Sequence, residues 1–582
     1  MNLRSILFFI CFFLLSFNVI IAQMTFDEVS SQLGITNSSG NLQLGAGVSF
    51  VDFDDDGWDD LTVASGNNIP LRFYKNNNGT FVEIFPLSIP ILGQTKSTTW
   101  VDIDNDGDKD LYVTTDNEGN KLFENDGNLG LTDITSTSGL PTGNLYTYGA
   151  SWGEIDNDGY LDVFISNRRV FETSVTNYLY KNNGDGTFTD YTEIAGIELD
   201  IELTFCSGFI DYDNDGWQDI YIANDKSFPN KMYHNNGDGT YSDASLSTGT
   251  GIVIDAMSVS VEDFNADGYL DIYVTNTHSP ISEPGGNVFF RNNGDGTFTN
   301  IATISGTIFN SFCWGASFID ADNDMDLDLY VSSSRDGSDP TLASYNLYVN
   351  QGFDSFTIAT STGMEGDSNM SYSNAIGDID NDGRGDIVVF NMNNSPSLYH
   401  NSTSNSNNYL GVKLTGTQSN SDGVGSLIEI SINGNKQYRY TMCGEGYLAQ
   451  NSEKELFGLG SNDIVDYVKV KWLSGIEDVI YDVAANQTLQ IIEGSTLSIE
   501  EYQNDNFDIY PIPVSNDLNV ISRNPINNYT IYNLQGEKVL VSNYSISTTN
   551  TVIDVSSVSS GLYFLKLKYN DDKTITRKFV KK

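Results

Sequence analysis

Short apolar stretches alternate with polar turns along almost the whole chain, and within many of them apolar and polar side chains alternate with period two. That period predicts half-buried β-strands, not helices. One strand type recurs as DLTV, DLYV, DVFI, DIYI, DIYV, DLYV and DIVV, each time directly behind an acidic loop of the form DxDxDGxxD. The loops begin at Asp52, Asp102, Glu154, Asp211, Asp263, Asp320 and Asp378, spaced 50, 52, 57, 52, 57 and 58 residues apart. A period of this length calls for repeats stacked around a shared core, since one such unit cannot bury its own apolar face.

Each loop places oxygen-bearing side chains at positions one, three, five and nine and a glycine at six, the pattern a hard cation such as calcium requires. Four loops match it throughout: Asp52, Asp54, Asp56, Gly57, Asp60; Asp102, Asp104, Asp106, Gly107, Asp110; Asp211, Asp213, Asp215, Gly216, Asp219; and Asp378, Asp380, Asp382, Gly383, Asp386. The third begins with Glu154 and continues with Asp156, Asp158 and Asp162; the fifth has Asp263, Asn265, Asp267 and Asp271. The sixth keeps Asp320, Asp322, Asp324 and Asp328 but has Met325 where the others have glycine. A side chain at a position that wants positive φ costs about 1 kcal/mol, so the Asp320 site is expected to be the weakest of up to seven calcium sites.

An EF-hand shares the first half of this loop but needs an acidic residue at position twelve, carried into a helix. Here position twelve is Val63, Val113, Ile165, Ile222, Val274, Val331 and Val389, all within strand patterns. A second repeated strand follows each loop, from FYKNNNGTF at Phe73 to LYHN at Leu398, and a third, aromatic-led strand follows that in six copies. The missing seventh copy stands at the other end of the chain. TFDEVSSQLGI from Thr25 matches TFTDYTEIAGI from Thr187, while the last repeat stops after Asn401. The N-terminal strand is therefore expected to complete the last repeat, closing a ring and removing its exposed edges.

These loops and strands together resemble the FG-GAP/VCBS repeats of the integrin-α type, which implies a seven-bladed β-propeller over residues 24–401 with structural calcium in its hairpins. Residues 402–408, STSNSNN, read as a linker. Residues 409–494 resemble the ASPIC/UnbV domain in YLGVKLTG at Tyr409, CGEGYLAQNS at Cys443, LFGLG at Leu456 and VKVKWLSG at Val468. A further linker, 495–506, leads to residues 507–582, where FDIYPIPVSNDLNV, SGLYFLKLKY and the ending KFVKK are similar to the type A sorting domain of the bacterial type IX secretion system. The resemblance implies a small β-sandwich read by the outer-membrane translocon. The fold class is then all-β, with a seven-bladed propeller, a small β-rich domain and a C-terminal β-sandwich.

Composition narrows the function classes. A net charge of −49 argues against a nucleic-acid partner, because a phosphate backbone needs a basic surface. MNLR followed by the apolar run Ile6 to Ile21, with Ala22 before Gln23, reads as a signal peptide over 1–22, leaving no membrane span after cleavage and a secreted or outer-membrane surface location. Cys206, Cys313 and Cys443 are too few and scattered for a disulfide framework. Only three histidines occur, and no nucleophile elbow, phosphate loop or zinc-type cluster is visible.

Binding is then expected in the loops that differ between repeats. Those after the third, fifth and sixth calcium loops are longer and carry Arg168, Arg169, Glu172, His278, Glu283, Arg335 and Asp336, all expected on one face. The reading is a non-catalytic binding or adhesion protein for a glycan or extracellular protein. Its alternatives are a polysaccharide-acting hydrolase or lyase, and an architectural surface component.

Overall fold

The computed structural model describes residues 24–168, 175–199, 202–277, 285–335, 342–496, 507–533, 538–542, 548–569 and 574–582. The chain forms two compact units, Met1–Leu497 and Ser498–Lys582. Seven four-stranded antiparallel sheets recur over residues 26–401 of the first, giving it a propeller-like architecture. In the first sheet Val48–Val51, Asp60–Val63, Arg72–Asn76 and Phe81–Ile84 pair in sequence order. Five further sheets repeat this order. In the last, Ser371–Gly377, Asp386–Asn391 and Ser397–Asn401 are joined by Phe26–Glu28, with Phe26 opposite Asn401 and Glu28 opposite Tyr399. The leading strands of successive sheets lie against one another, and Ser371–Gly377 lies against Val48–Val51. These strands are buried almost throughout, although Thr95–Val101 (TKSTTWV) and Ser371–Gly377 (SYSNAIG) carry many polar residues.

The same unit carries two further sheets. Asn408–Thr415 pairs with Glu455–Gly460 and, in parallel, with Gln487–Ile492; Leu427–Ile432 is the centre of a four-stranded sheet with Asn435–Tyr440, Ile464–Lys471 and Glu477–Ala484. Their apolar faces close on Leu410, Ile428, Phe457, Val468 and Trp472. Between them the segment CGEGYLAQ leaves this core and enters the space framed by the leading strands. Bridges link Ser49 to Gln450, Trp152 to Cys443 and Val259 to Gly446. Tyr447, Leu448 and Ala449 are buried there among Phe50, Tyr148, Phe205, Trp314 and Tyr372. Gln450 clamps one strand, accepting from the Trp100 N–H at 2.8 Å and donating to the Trp100 carbonyl at 2.7 Å. Gly47 has no side chain because a Cβ would stand 1.8 Å from the Leu448 carbonyl oxygen.

In the C-terminal unit the long strand Asp517–Tyr532 pairs along one half with Phe507–Tyr510 and Thr548–Asp554 and along the other with Lys538–Val541 and Gly561–Tyr569. Leu518, Val520, Ile531, Ile553, Leu565 and Phe579 form its core. Among the described residues no helix is long and apolar enough to cross a membrane. The expected signal sequence lies outside the described residues.

Candidate metal centres

Each acidic loop is the hairpin between the first two strands of its sheet, and its backbone is wound by its own carboxylates. In the first loop Asp52 accepts the N–H groups of Asp56 at 3.0 Å and Gly57 at 2.9 Å, and Asp56 accepts that of Trp58 at 3.1 Å. Asp60, first residue of the second strand, accepts from Phe53 at 3.2 Å and from Asn76 of the third strand at 2.6 Å. Asp102, Asp211, Asp263, Asp320 and Asp378 repeat the first pair of bonds. The glycines at position six have φ between 81° and 96°, and Met325 takes the same region at 91°. Position four is left-handed as well, at Asp55, Asn105, Asn157, Asn214, Ala266, Asn323 and Asn381. This second demand on the backbone is legible in the recurring asparagine, which tolerates positive φ.

The asparagines also link neighbouring loops. Asn105 donates to the Gly159 carbonyl at 2.8 Å, Asn157 to Gly216 at 3.0 Å, Asn214 to Gly268 at 2.9 Å, Asn323 to Gly383 at 3.1 Å and Asn381 to Gly57 at 3.0 Å. A parallel set comes from the asparagine that ends the third strand in six of the sheets. Asn76 reaches the carbonyl of Ile379 in the preceding sheet, Asn182 that of Ile103, Asn235 that of Ile155, Asn292 that of Tyr212, Asn350 that of Phe264 and Asn401 that of Ala321.

The donor atoms converge as a hard cation needs. Ligand oxygens of Asp52, Asp54 and Asp60 lie within 4.8 Å of one another, as do those of Asp102, Asp104 and Asp110 and those of Asp211, Asp213 and Asp215. One carboxylate oxygen of each of Asp54, Asp156, Asp213 and Asp322, all at position three, is buried without a hydrogen-bond partner. Burial pushes the position-nine carboxyls upward, Asp60 to about 9, Asp110 to about 8 and Asp219 to about 7, and raises Asp162, Asp271, Asp328 and Asp386 well above the usual range. Orphaned oxygens on crowded, desolvated carboxyls fit a divalent ion that would both accept their lone pairs and offset their charge. In the fifth loop Asn265 donates to Asp267 at 2.9 Å, and the orphan is an oxygen of Asp271.

In four of the sheets the next-to-last residue of the third strand leans over its own loop, whereas Arg291 pairs with Asp354. Lys75 pairs with Asp54 and Asp56, and Lys181 with Asp156 and Asp158. His234 approaches Asp219 at 3.1 Å and His400 approaches Asp380 at 3.2 Å. Those hydrogen bonds push both imidazoles up to about 9. His278 lies outside the described residues, as do Arg169, Glu172, Glu283 and Asp336 of the longer loops. Arg168 is buried, paired with Asp225 and stacked 4.4 Å from the centre of Phe205. Arg335 donates to the carbonyls of Leu342 at 2.9 Å and Ser368 at 3.0 Å.

The loops are covered from one side by the two-sheet domain. Lys413 lies 3.6 Å from Asp52 and 2.8 Å from Asp55, and Lys454 lies 3.1 Å from Asp378. Ser421 donates to Asp102 at 2.6 Å and Asn420 to Glu154 at 2.7 Å. Glu154, one methylene longer than aspartate, keeps its loop bond to Gly159 with one oxygen and reaches Asn420 with the other.

Models of known families match the chain in three places. The FG-GAP-like repeat matches residues 52–113, 102–165, 211–274 and 279–331; ASPIC and UnbV matches 416–498; and the secretion system C-terminal sorting domain matches 508–582. The chain therefore carries FG-GAP-like repeats, an ASPIC/UnbV domain and a type IX sorting tail, and that tail directs it through the type IX system to the cell surface or extracellular space.

Human cartilage acidic protein 1 is 23% identical over 501 residues, which is 78% of this chain and 72% of the relative; the Xenopus tropicalis protein of that name is 24% identical over 482 residues, 75% and 71%. Among solved structures, the extracellular domain of a hybrid two-component system from B. thetaiotaomicron aligns at 11% identity with a TM-score of 0.41, over 96% of this chain and 66% of that one.

Proposed function

We propose that the protein is an exported, calcium-stabilised binding module of the cell surface. Its seven repeat sheets form a closed seven-bladed propeller over residues 24–401, followed by the linker 402–408, an ASPIC/UnbV domain over 409–494, a linker over 495–506 and a sorting β-sandwich over 507–582. Up to seven Ca²⁺ ions sit in the loops beginning at Asp52, Asp102, Glu154, Asp211, Asp263, Asp320 and Asp378. Their role is structural, since the same loops carry the bonds between neighbouring blades. The curated relatives are named for cartilage and acidity, and this chain shares the acidity with its net charge of −49.

The observation that carries the reading is the covered face. The ASPIC/UnbV domain lies over the acidic loops and inserts CGEGYLAQ among the leading strands. In an antiparallel meander the second-to-third-strand connections emerge at the opposite end, where the unequal loops stand. We assign the glycan or extracellular protein ligand to that end. Two of the three histidines are held on loop carboxylates, which favours binding over catalysis. A glycan and matrix-protein array, run with and without calcium and paired with a polymer-cleavage assay, tests this. Calcium-dependent capture without turnover is expected; turnover of a polysaccharide would replace the reading with an enzyme.

A further inference from the structure

In the sixth loop positions three and four are buried as well as one and nine, while Asp324 at position five is exposed. Asp320, Asp322, Asn323 and Asp328 are 7%, 5%, 4% and 1% exposed. Asp326 adds a fifth carboxylate at position seven. One oxygen of Asp322 and one of Asp326 are buried with no hydrogen-bond partner. Among the described residues none of these five carboxylates makes an ion pair, although Lys75, Lys181, His234 and Lys454 stand on the acids of other loops. Arg439, whose charge acts on Asp320, donates instead to the carbonyls of Leu456 at 3.1 Å and Tyr438 at 2.8 Å.

Two segments from beyond the repeats close over this loop. Asn405 and Asn407 of the linker both donate to the Asp322 carbonyl, at 2.5 and 2.8 Å. From the LFGLG strand of the ASPIC/UnbV domain, Gly460 donates to the Asn323 carbonyl at 2.8 Å. Gly458 comes so close that a Cβ there would stand 2.0 Å from an Asp320 carboxylate oxygen and 2.5 Å from Asn323 Cα. Met325 packs on the domain core, and Asn462 reaches its sulfur at 3.7 Å. The methionine that disturbs the loop motif is thus an apolar contact to the neighbouring domain.

We infer that the ASPIC/UnbV domain and the linker form a partial lid on the sixth loop, so that this loop exchanges its divalent cation more slowly than the others while the clasp at Asn405, Asn407 and Gly458 is shut. Occupancy of the loop and seating of the domain are then linked equilibria, each favouring the other. The inference rests on the calcium reading above and concerns the rate of exchange, which a low affinity does not preclude.

The test is calcium release from the calcium-loaded full chain, mixed in a stopped-flow instrument with excess quin-2 and followed by the chelator's fluorescence. One equivalent is expected to leave at least tenfold more slowly than the rest. Asp322→Asn should remove that slow equivalent, and the double variant Asn405→Ala, Asn407→Ala should accelerate it severalfold with the bound count unchanged. Release of all equivalents in one phase, or a slow phase that survives Asp322→Asn, overturns the inference and leaves the calcium reading standing. A chain that binds no calcium overturns both.

Discussion

Replacing Asn235 by alanine should cost more stability than the same change at Asn125, because only the first of these side chains bonds across sheets. Asn235 is fully buried and donates to Ile155 of the preceding sheet at 2.9 Å and to Gln218 at 3.1 Å, while accepting from Gly237 at 3.0 Å. Asn125 is 4% exposed, donates to Lys109 within its own sheet at 2.9 Å and accepts from Gly127 at 3.2 Å. With each buried bond worth about 1 kcal/mol net, Asn235→Ala should lose about 3 kcal/mol and Asn125→Ala about 2 kcal/mol. Urea titrations of the calcium-loaded protein, followed by tryptophan fluorescence, give the difference if the slope m is unchanged. Equal losses within about 0.3 kcal/mol would refute the claim that these asparagines strap one sheet to the next.

Calcium removal should act on all the repeat sheets. With dissociation constants of roughly 0.1 to 1 mM, seven ions at about 1 mM calcium contribute roughly 3 to 10 kcal/mol in all, so EDTA should lower the melting temperature sharply; a superimposable melt would count against structural calcium. Burial lowers Lys96 to about 8. Between pH 8 and 10.5 the unfolded chain then holds a proton that the folded chain has released, so this group's contribution to stability rises with pH across that window, by up to about 1.4 kcal/mol per unit. Subtracting the pH profile of Lys96→Met should isolate that slope. Gly47→Ala, whose Cβ would meet the Leu448 carbonyl, should abolish seating of CGEGYLAQ and destabilise far more than Gly57→Ala, whose Cβ meets open space and costs about 1 kcal/mol for its φ of 88°. Comparable melting temperatures for the two variants would contradict the buried position of that segment.

Much of the repeat unit was legible because its information is periodic. DLYV behind DxDxDG fixes strand, register and buried face at once, and the match between TFDEVSSQLGI and TFTDYTEIAGI pointed to the pairing of Phe26 with Asn401. Aperiodic contacts left no such trace. Nothing in CGEGYLAQ, read as a string, shows that Tyr447 lies between Phe205 and Trp314. Met325 looked like damage to a motif because its partner, the core behind Gly460, is more than a hundred residues away and has no repeat to announce it. Lys75, Lys181, His234 and His400 share a direction toward the loop, and side-chain direction becomes visible only in the folded strand.

The bridge between Ser49 and Gln450 bears on how the protein comes to be folded at all. The first leading strand touches its final neighbour in the centre only after some four hundred further residues have been made. Loop closure over such separations is slow, and until it occurs the inner strand edges remain open to pairing with other chains. During synthesis the repeats must therefore be kept apart, or kept from other copies, until CGEGYLAQ has arrived. A chain cut between the last repeat and that segment should misassemble and aggregate, although every repeat in it is intact.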